Sequence, residues 1–287
     1  MKTTLYILLF LLFIKMKNIF SIIFFLLLAG TALSQNSKVQ FGNNSEAGTY
    51  YNIRGIKIYC EIYGSGKPLL MIHGNGGSIA SFRENIPYFS KKYKVIVADS
   101  RSQGKSKDLN DSLSFEMMAD DEAALLDELH IDSAYVLGWS DGGINALLLA
   151  MRHPEKVIKL TSTGANLWPD STAIKPSVWK EDKIYYESSK NKNFITEAEK
   201  NAWKLFLLDW FQPNISLAAL HVIKCPSLII GGDHDVINIE HTVQIYKNIP
   251  LAYLWIVPDS GHGTLIEHKD EFNKIVDRFF SKPLHRR

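Results

Sequence analysis

Val136-Leu-Gly138-Trp-Ser140-Asp-Gly142-Gly-Ile144 joins an apolar, β-branched run that begins at Ala134 to an apolar, helix-like segment. A Gly-x-Ser-x-Gly sequence at such a junction is that of a tight strand-to-helix turn, which lifts the serine hydroxyl above the edge of a sheet. Gly138 and Gly142 suit it because a turn this sharp leaves no room for side chains beside the serine. The five-residue pattern alone is weak. At Gly and Ser usage of roughly 7% each, it arises by chance in about one chain in ten of this length. Its meaning rests on what the rest of the chain supplies.

Outward from that turn the chain alternates strands and helices. Tyr50–Arg54 and Ile56–Tyr63 read as an opening hairpin about Gly55, and strands follow at Leu69–Ile72, Lys94–Ala98, Ala134–Gly138, Val157–Thr161, Ser227–Ile230 and Ala252–Val257. Most are short continuous apolar runs, the pattern of parallel strands covered on both faces. Helices are expected over Phe115–His130, with Ser114 as N-cap, over Ile144–Met151 and over Glu267–Phe280. The class is α/β, a mostly parallel sheet with helices on both faces. One interval breaks the rhythm. Residues 164–214 hold no strand candidate but contain Trp168, Trp179, Trp203 and Trp210, four of the chain's 6 tryptophans. An interval this long implies a small helical insertion. Its aromatics dock that cap onto the body, or line an apolar pocket beneath it.

Residues 1–34 are different in kind. They carry Lys2, Lys15 and Lys17, no acidic residue, and two apolar runs too short to span a bilayer. The second run lies between Met16-Lys17-Asn18 and Thr31-Ala32-Leu33-Ser34, the order of a secretory signal with a cut after Ser34. The expectation is an exported protein, periplasmic or secreted, without stable membrane insertion after cleavage; an uncleaved anchor is the alternative. Residues 35–48 read as a polar, loosely ordered leader, and 49–287 as one domain. The chain's formal charge of +2 includes the three lysines of the signal, so 35–287 stands near −1. That balance offers no footprint for nucleic acid. Cys60 and Cys225 are the only cysteines; they could pair in principle, but in a sheet that sets their strands near opposite edges they are expected as two buried free thiols.

A serine hydroxyl needs a base to take its proton and a third group to orient that base. Gly231-Gly-Asp233-His234-Asp235 follows one late strand and Pro258-Asp-Ser-Gly261-His262 follows the last, so carboxylate and imidazole can converge on Ser140 from the same sheet rim. Asp233 and Asp235 are both open as the acid. The cluster Asp233, His234, Asp235 and His241 also reads as a metal site. It lacks a short His-x-x-x-His spacing, and no metal is expected.

With these motifs in place, the chain from residue 49 onward resembles the α/β-hydrolases. The likeness is carried by His73-Gly-Asn-Gly-Gly77, Asp99-Ser-Arg101-Ser-Gln-Gly104-Lys-Ser106, Gly138-Trp-Ser-Asp-Gly142, Gly232-Asp-His-Asp235 and Gly261-His262, each after the expected strand. The resemblance implies an eight-stranded sheet with its second strand antiparallel and a cap after the sixth. It implies Ser140 as nucleophile, Asp235 as acid in preference to Asp233, and His262 as base. It places the oxyanion donors at the main-chain N–H groups of Asp141 and Asn75, with Gly76 as the second choice for the latter. Asp99 and Arg101 are expected to be structural, as is His73; Ser102 departs from the family's usual glycine.

Gly-Trp-Ser-Asp-Gly-Gly-Ile, Gly164-Ala-Asn166 and Asp270-Glu-Phe-Asn-Lys274 are further similar to the biphenyl hydrolase-like and valacyclovir-hydrolase-like branch. That likeness implies that the Asp141 carboxylate meets a substrate amine. Its alternative role is to sit at the positive end of the following helix. The expected activity is that of a serine hydrolase cleaving a small carboxylic ester, an aminoacyl ester among them, without cofactor. A C–C bond hydrolase, a thioesterase or an aminopeptidase would use the same triad, and a non-catalytic ligand-binding protein could keep the fold.

Overall fold

The computed structural model describes residues 39–283. The segment expected to direct export, 1–34, lies outside the described residues. The opening hairpin pairs β1 (Gly48–Ile53) with β2 (Ile56–Tyr63). It turns at Arg54 and Gly55, both at positive φ, the two-residue turn whose twist suits paired strands. Then come β3 (Lys67–Ile72), β4 (Tyr93–Ala98), β5 (Ala134–Trp139), β6 (Val157–Thr163), β7 (Ser227–Gly232) and β8 (Ala252–Val257). They form one eight-stranded sheet in the order β1-β2-β4-β3-β5-β6-β7-β8. Only β2 runs antiparallel to its neighbours. This is the α/β-hydrolase architecture expected from the sequence.

Helices α1 (Phe115–Glu128), α2 (Asp141–Arg152), α3 (Pro176–Ser189), α4 (Glu197–Phe211), α5 (Ile239–Asn248) and α6 (Lys269–Ser281) complete the frame. The continuous apolar strands are explained by the pleat, which sends successive side chains to opposite faces. Leu70, Ile72, Ile96 and Val136 join Phe115, Leu126 and Leu147 of α1 and α2 in one core. Their neighbours Leu69, Met71, Val95 and Leu137 join Phe272, Val276 and Phe280 of α6 in the other. Ser114 caps α1 as expected, accepting from the Met117 N–H at 3.1 Å.

The order β4-β3-β5 contains a topological switch point. From β3 the chain leaves to one side, and it returns on the other as β5. In open α/β sheets the crevice at such a point, outside the carboxyl ends of the strands, is where ligands bind. The loop after β4 is held rigid beside that crevice. Arg101 is buried and donates to both oxygens of Asp121 (2.6 and 2.8 Å) and to Asp108 (2.8 Å). Asp99 accepts from the Ile79 and Lys105 N–H groups at 2.8 and 2.7 Å. Ser102 adopts φ 66°, so the turn that favours glycine here keeps its left-handed geometry with a serine in place.

Two expectations need correction. The part of the leader from Gln40 to Ala47 is not loose. The buried Glu61 carboxylate of β2 accepts from the Gly42 and Asn44 N–H groups at 2.8 Å each, and from Tyr59 and Tyr63 hydroxyls at 3.0 and 2.7 Å. A polar composition hid this docking because the anchor is a single buried carboxylate in a strand, not an apolar surface. The two thiols are free, as expected, but Cys225 is only half-buried while Cys60 is fully enclosed.

Glu122 on α1 is buried with Oε2 unpartnered. Burial, and then the charge of Asp121, push its carboxyl up to about 8. The folded-state value lies above that of the unfolded chain, so stability falls as pH rises from the ordinary glutamate range towards 8. Glu122→Gln is therefore expected to gain on the wild type as pH is raised from 5 to 8. The advantage at pH 8 should reach the order of a few kcal/mol, read from urea unfolding at both pH values. A difference independent of pH would contradict the assignment.

Candidate active site

Ser140 sits between β5 and α2 at φ 57° and ψ −121°, a sparsely populated backbone region for a residue with a side chain. The strain is held by contact on both sides. A Cβ on Gly138 would fall 1.9 Å from the Gly142 carbonyl oxygen, and one on Gly142 would fall 1.9 Å from that of Ile72. No side chain fits at either position, which is why the elbow requires both glycines. The loop after β3 lies against the same turn: a Cβ on Gly74 would be 2.9 Å from Ser140 Cβ.

His262 follows β8, with its Nε2 2.8 Å from Ser140 Oγ and its Nδ1 2.6 Å from Asp235 Oδ1. With Nδ1–H donating to Asp235, Nε2 is left to accept from the serine hydroxyl. The burial is graded. Asp235 is 1% exposed, the His262 side chain 26%, and Ser140 half-buried. The carboxylate is thus sealed beneath the ring, while the serine can be reached. Three side chains brace the loop that carries His262. Asp233 accepts from the Asp259 and Ser260 N–H groups at 3.0 Å, Glu267 accepts from Gly261 N–H at 2.8 Å, and Trp139 Nε1 donates to the His262 carbonyl at 2.8 Å. Asp233, the rival acid, is thereby committed to the loop and not to the imidazole.

His73 is buried, and desolvation lowers its basicity. Its Nδ1–H donates to the Gly74 carbonyl at 2.7 Å and its Nε2 accepts from Ser100 N–H at 3.0 Å, so it ties the loop after β3 to the end of β4. His241 likewise accepts from Leu167 N–H at 2.9 Å. Asp233, His234, Asp235 and His241 therefore do not converge, and among the described residues no group of three or more His, Cys, Asp or Glu is placed to hold a metal ion.

The cap lies between β6 and β7, as α3 and α4. Most of its aromatics stack on one another. Tyr186 packs on Trp210 at 5.0 Å between centroids, Trp203 on Phe206 at 5.2 Å, and Trp179 on Trp210 at 6.1 Å. Attachment to the body joins Leu208, in one core with Phe115 and Leu126, to a set of polar contacts. Asn201 Nδ2 donates to the Ser102 carbonyl at 2.8 Å, Lys204 Nζ to those of Asp108 and Asn110 at 2.8 Å each, and Asn75 Nδ2 to that of Leu205 at 3.2 Å. A cavity of about 1140 Å³ opens between α4 and the segment 102–113, lined among others by Gly76, Gln103, Trp203 and Leu208; Ser140 and His262 do not line it.

Asp141, the first residue of α2, is buried. Its carboxyl is pushed up to about 6, by desolvation first, against the opposing effects of hydrogen bonding with Asp209 and Asn75 and of the charge of His262. The carboxyl of Asp209 on α4 faces it and is held well above the usual carboxylate range, by desolvation and then by the charge of Asp141. Sequence reasoning did not single out Asp209. Its signal was present, as the one charge in Leu205-Phe-Leu-Leu-Asp209-Trp-Phe211, a run otherwise fit only for packing. Trp139 was also missed, because the middle of a Gly-x-Ser-x-Gly turn tolerates any residue in the pattern.

Residues 67–183 match the family described as alpha/beta hydrolase fold. The serine hydrolase BPHL of Homo sapiens is 27% identical over 253 residues, covering 79% of this chain and 84% of that protein. The 2-hydroxymuconate semialdehyde hydrolase of Pseudomonas sp. (strain CF600) is 27% identical over 271 residues, covering 84% and 96%. Among solved structures, a meta-cleavage product hydrolase from Pseudomonas fluorescens superposes with a TM-score of 0.68 at 24% identity, covering 83% of this chain and 98% of that one.

The contact between His262 and Asp235 has a signature that does not depend on turnover. With ¹⁵N-labelled histidine, the His262 Nδ1 proton is expected far downfield of the amide envelope. Asp233→Asn should keep that resonance and Asp235→Asn should remove it; the reverse pattern would make Asp233 the partner.

Proposed function

The chain belongs to the α/β-hydrolase family, and we propose that it is a serine hydrolase that cleaves small carboxylic esters through an acyl-enzyme. One observation carries this reading: the unbroken relay from Ser140 Oγ through His262 to Asp235, at 2.8 and 2.6 Å. Ser140 Oγ attacks the ester carbonyl while His262 Nε2 takes its proton, and Asp235 stabilises the imidazolium that forms. The N–H groups of Asp141 and Asn75 hold the oxyanion, each donor contributing about 3 kcal/mol to transition-state stabilisation. His262 then protonates the leaving alcohol, and a water activated by the same imidazole releases the acid. With 1–34 read as an export signal, the substrate is met outside the cytoplasm.

An aminoacyl ester is the favoured substrate class, because Asp141 puts a carboxyl beside the nucleophile. A second reading, C–C bond hydrolysis, draws on the likeness to 2-hydroxymuconate semialdehyde hydrolase. The carboxyl groups of Asp141 and Asp209 weigh against it for an anionic ring-cleavage product, since like charges in an enclosed site repel. A neutral or cationic ester meets no such barrier.

A fluorophosphonate probe is expected to label the protein at Ser140. Ser140→Ala should abolish labelling and ester turnover together. Asp235→Asn should lower kcat by about 10³–10⁴-fold, through loss of the correct imidazole tautomer. Labelling that survives Ser140→Ala would remove the proposed nucleophile.

A further inference from the structure

One face of α4 belongs to the large cavity. Glu197, Asn201, Lys204, Leu208 and Phe211 all line it, spaced three or four residues apart as one helical face must be. The segment 102–113 supplies another wall, with Leu109 and Leu113, and Phe194 adds its ring, stacked on Trp203 at 5.2 Å. At about 1140 Å³ the space admits a small organic molecule. Leu109 and Phe211 stand 77% and 53% exposed on its lining, apolar surface that the chain itself leaves uncovered.

The charges in this lining do not balance. Asp108 is spent on Arg101 Nη1 at 2.8 Å and on Asn110 Nδ2 at 2.7 Å, and Glu197 on Lys200 at 3.4 Å. Asp111 is then left to face Lys107, Lys192 and Lys204. Lys204 decides the character of the site. It is half-buried, and its Nζ donates to the carbonyls of Asp108 and Asn110 at 2.8 Å each, contacts that anchor the ammonium without neutralising it. An ammonium carries three N–H donors, so one is left over. Burial lowers the basicity of this lysine, an effect that an anion beside it would offset.

The cavity is set apart from the nucleophile. Gly76 and Leu205 line it, whereas Asn75, whose side chain bridges to the Leu205 carbonyl at 3.2 Å, does not. Ser140, Asp141, Asp209 and His262 are likewise absent from the lining. A ligand held here therefore does not meet the carboxyl of Asp141.

We infer that this cavity is a binding site for a free organic monocarboxylate with an apolar body, its carboxylate taken by Lys204 and its body laid against Leu109, Leu113, Phe194, Trp203 and Phe211. A carboxylate accepts the spare N–H of Lys204 as a charge-assisted hydrogen bond, stronger than the neutral bond an alcohol would make there. Lys192 adds charge from the turn between α3 and α4, so the anion is held from two places in the cap. The site does not depend on catalysis at Ser140.

Calorimetric titration with 4-phenylbutyrate and with 4-phenylbutan-1-ol, which share the phenylalkyl body and differ in charge, tests the site. Wild type is expected to bind the acid more tightly than the alcohol by about tenfold or more. Lys204→Met should remove most of that preference and Lys204→Arg should keep it. Lys192→Gln, which leaves the anchor at Asp108 and Asn110 intact, should also reduce it. The ratio of the two affinities separates charge recognition from damage to the cap, which weakens acid and alcohol together. Protein carrying a fluorophosphonate on Ser140 should bind the acid as wild type does. The inference is overturned by equal affinities in wild type, by no binding of the acid up to about 10 mM, or by a ratio unchanged in both Lys204→Met and Lys192→Gln. Loss of acid binding on the Ser140-labelled protein also overturns it, by placing the anion at the nucleophile. Failure of the labelling itself would remove the nucleophile while leaving the titrations of the unlabelled chain to decide the site.

Discussion

Ser140 is held in a backbone conformation it would not choose, and the rest of the site depends on that constraint. Its φ of 57° persists because Gly138 packs on the Gly142 carbonyl and Gly142 on that of Ile72. The second contact runs from the first turn of α2 to the end of β3, so the elbow exists only where β5, which leads into α2, lies beside β3. The switch from β3 to β4 and back to β5 supplies that neighbour relation. It also lays the Gly74 loop on the serine from the other side. The strain is thus over-determined by the sheet, the condition under which strained residues survive at functional sites. His262 needs no strain of its own. Its loop is tied down by Asp233, Glu267 and Trp139, which frees Asp235 for the imidazole.

Charge gives the site its second character. The relay through His262 stands beside the Asp141 carboxyl, which burial pushes up to about 6. The cap is not merely a lid of aromatics. Its tryptophans and tyrosines stack largely on one another, and Asn201, Lys204 and Leu208 tie it to the body.

Much of this was legible in the sequence for definable reasons. Continuous apolar strands with intervening amphipathic helices dictate a covered parallel sheet. Motifs at successive strand ends fall on one rim, so order brings Ser140 and His262 together with Asp233 or Asp235, and the likeness to the α/β-hydrolases favoured Asp235. What was not legible depends on contacts between distant segments. That Glu61 docks the leader and that Asp233 braces the histidine loop are facts of packing, each made by one polar residue without periodicity. Ser102 shows the converse: a serine stands at φ 66°, where glycine is favoured, in a loop held by the Lys105 N–H on Asp99.

The central claim is covalent, that the acyl group passes through Ser140. Rapid mixing with p-nitrophenyl butyrate, followed by acid quench and peptide mass mapping, reads it directly. The account predicts a burst of nitrophenolate approaching one equivalent per chain and a butyryl adduct on the peptide containing Ser140. Steady turnover with no adduct on that peptide under quench conditions that preserve esters, or an adduct on a different residue, would contradict it.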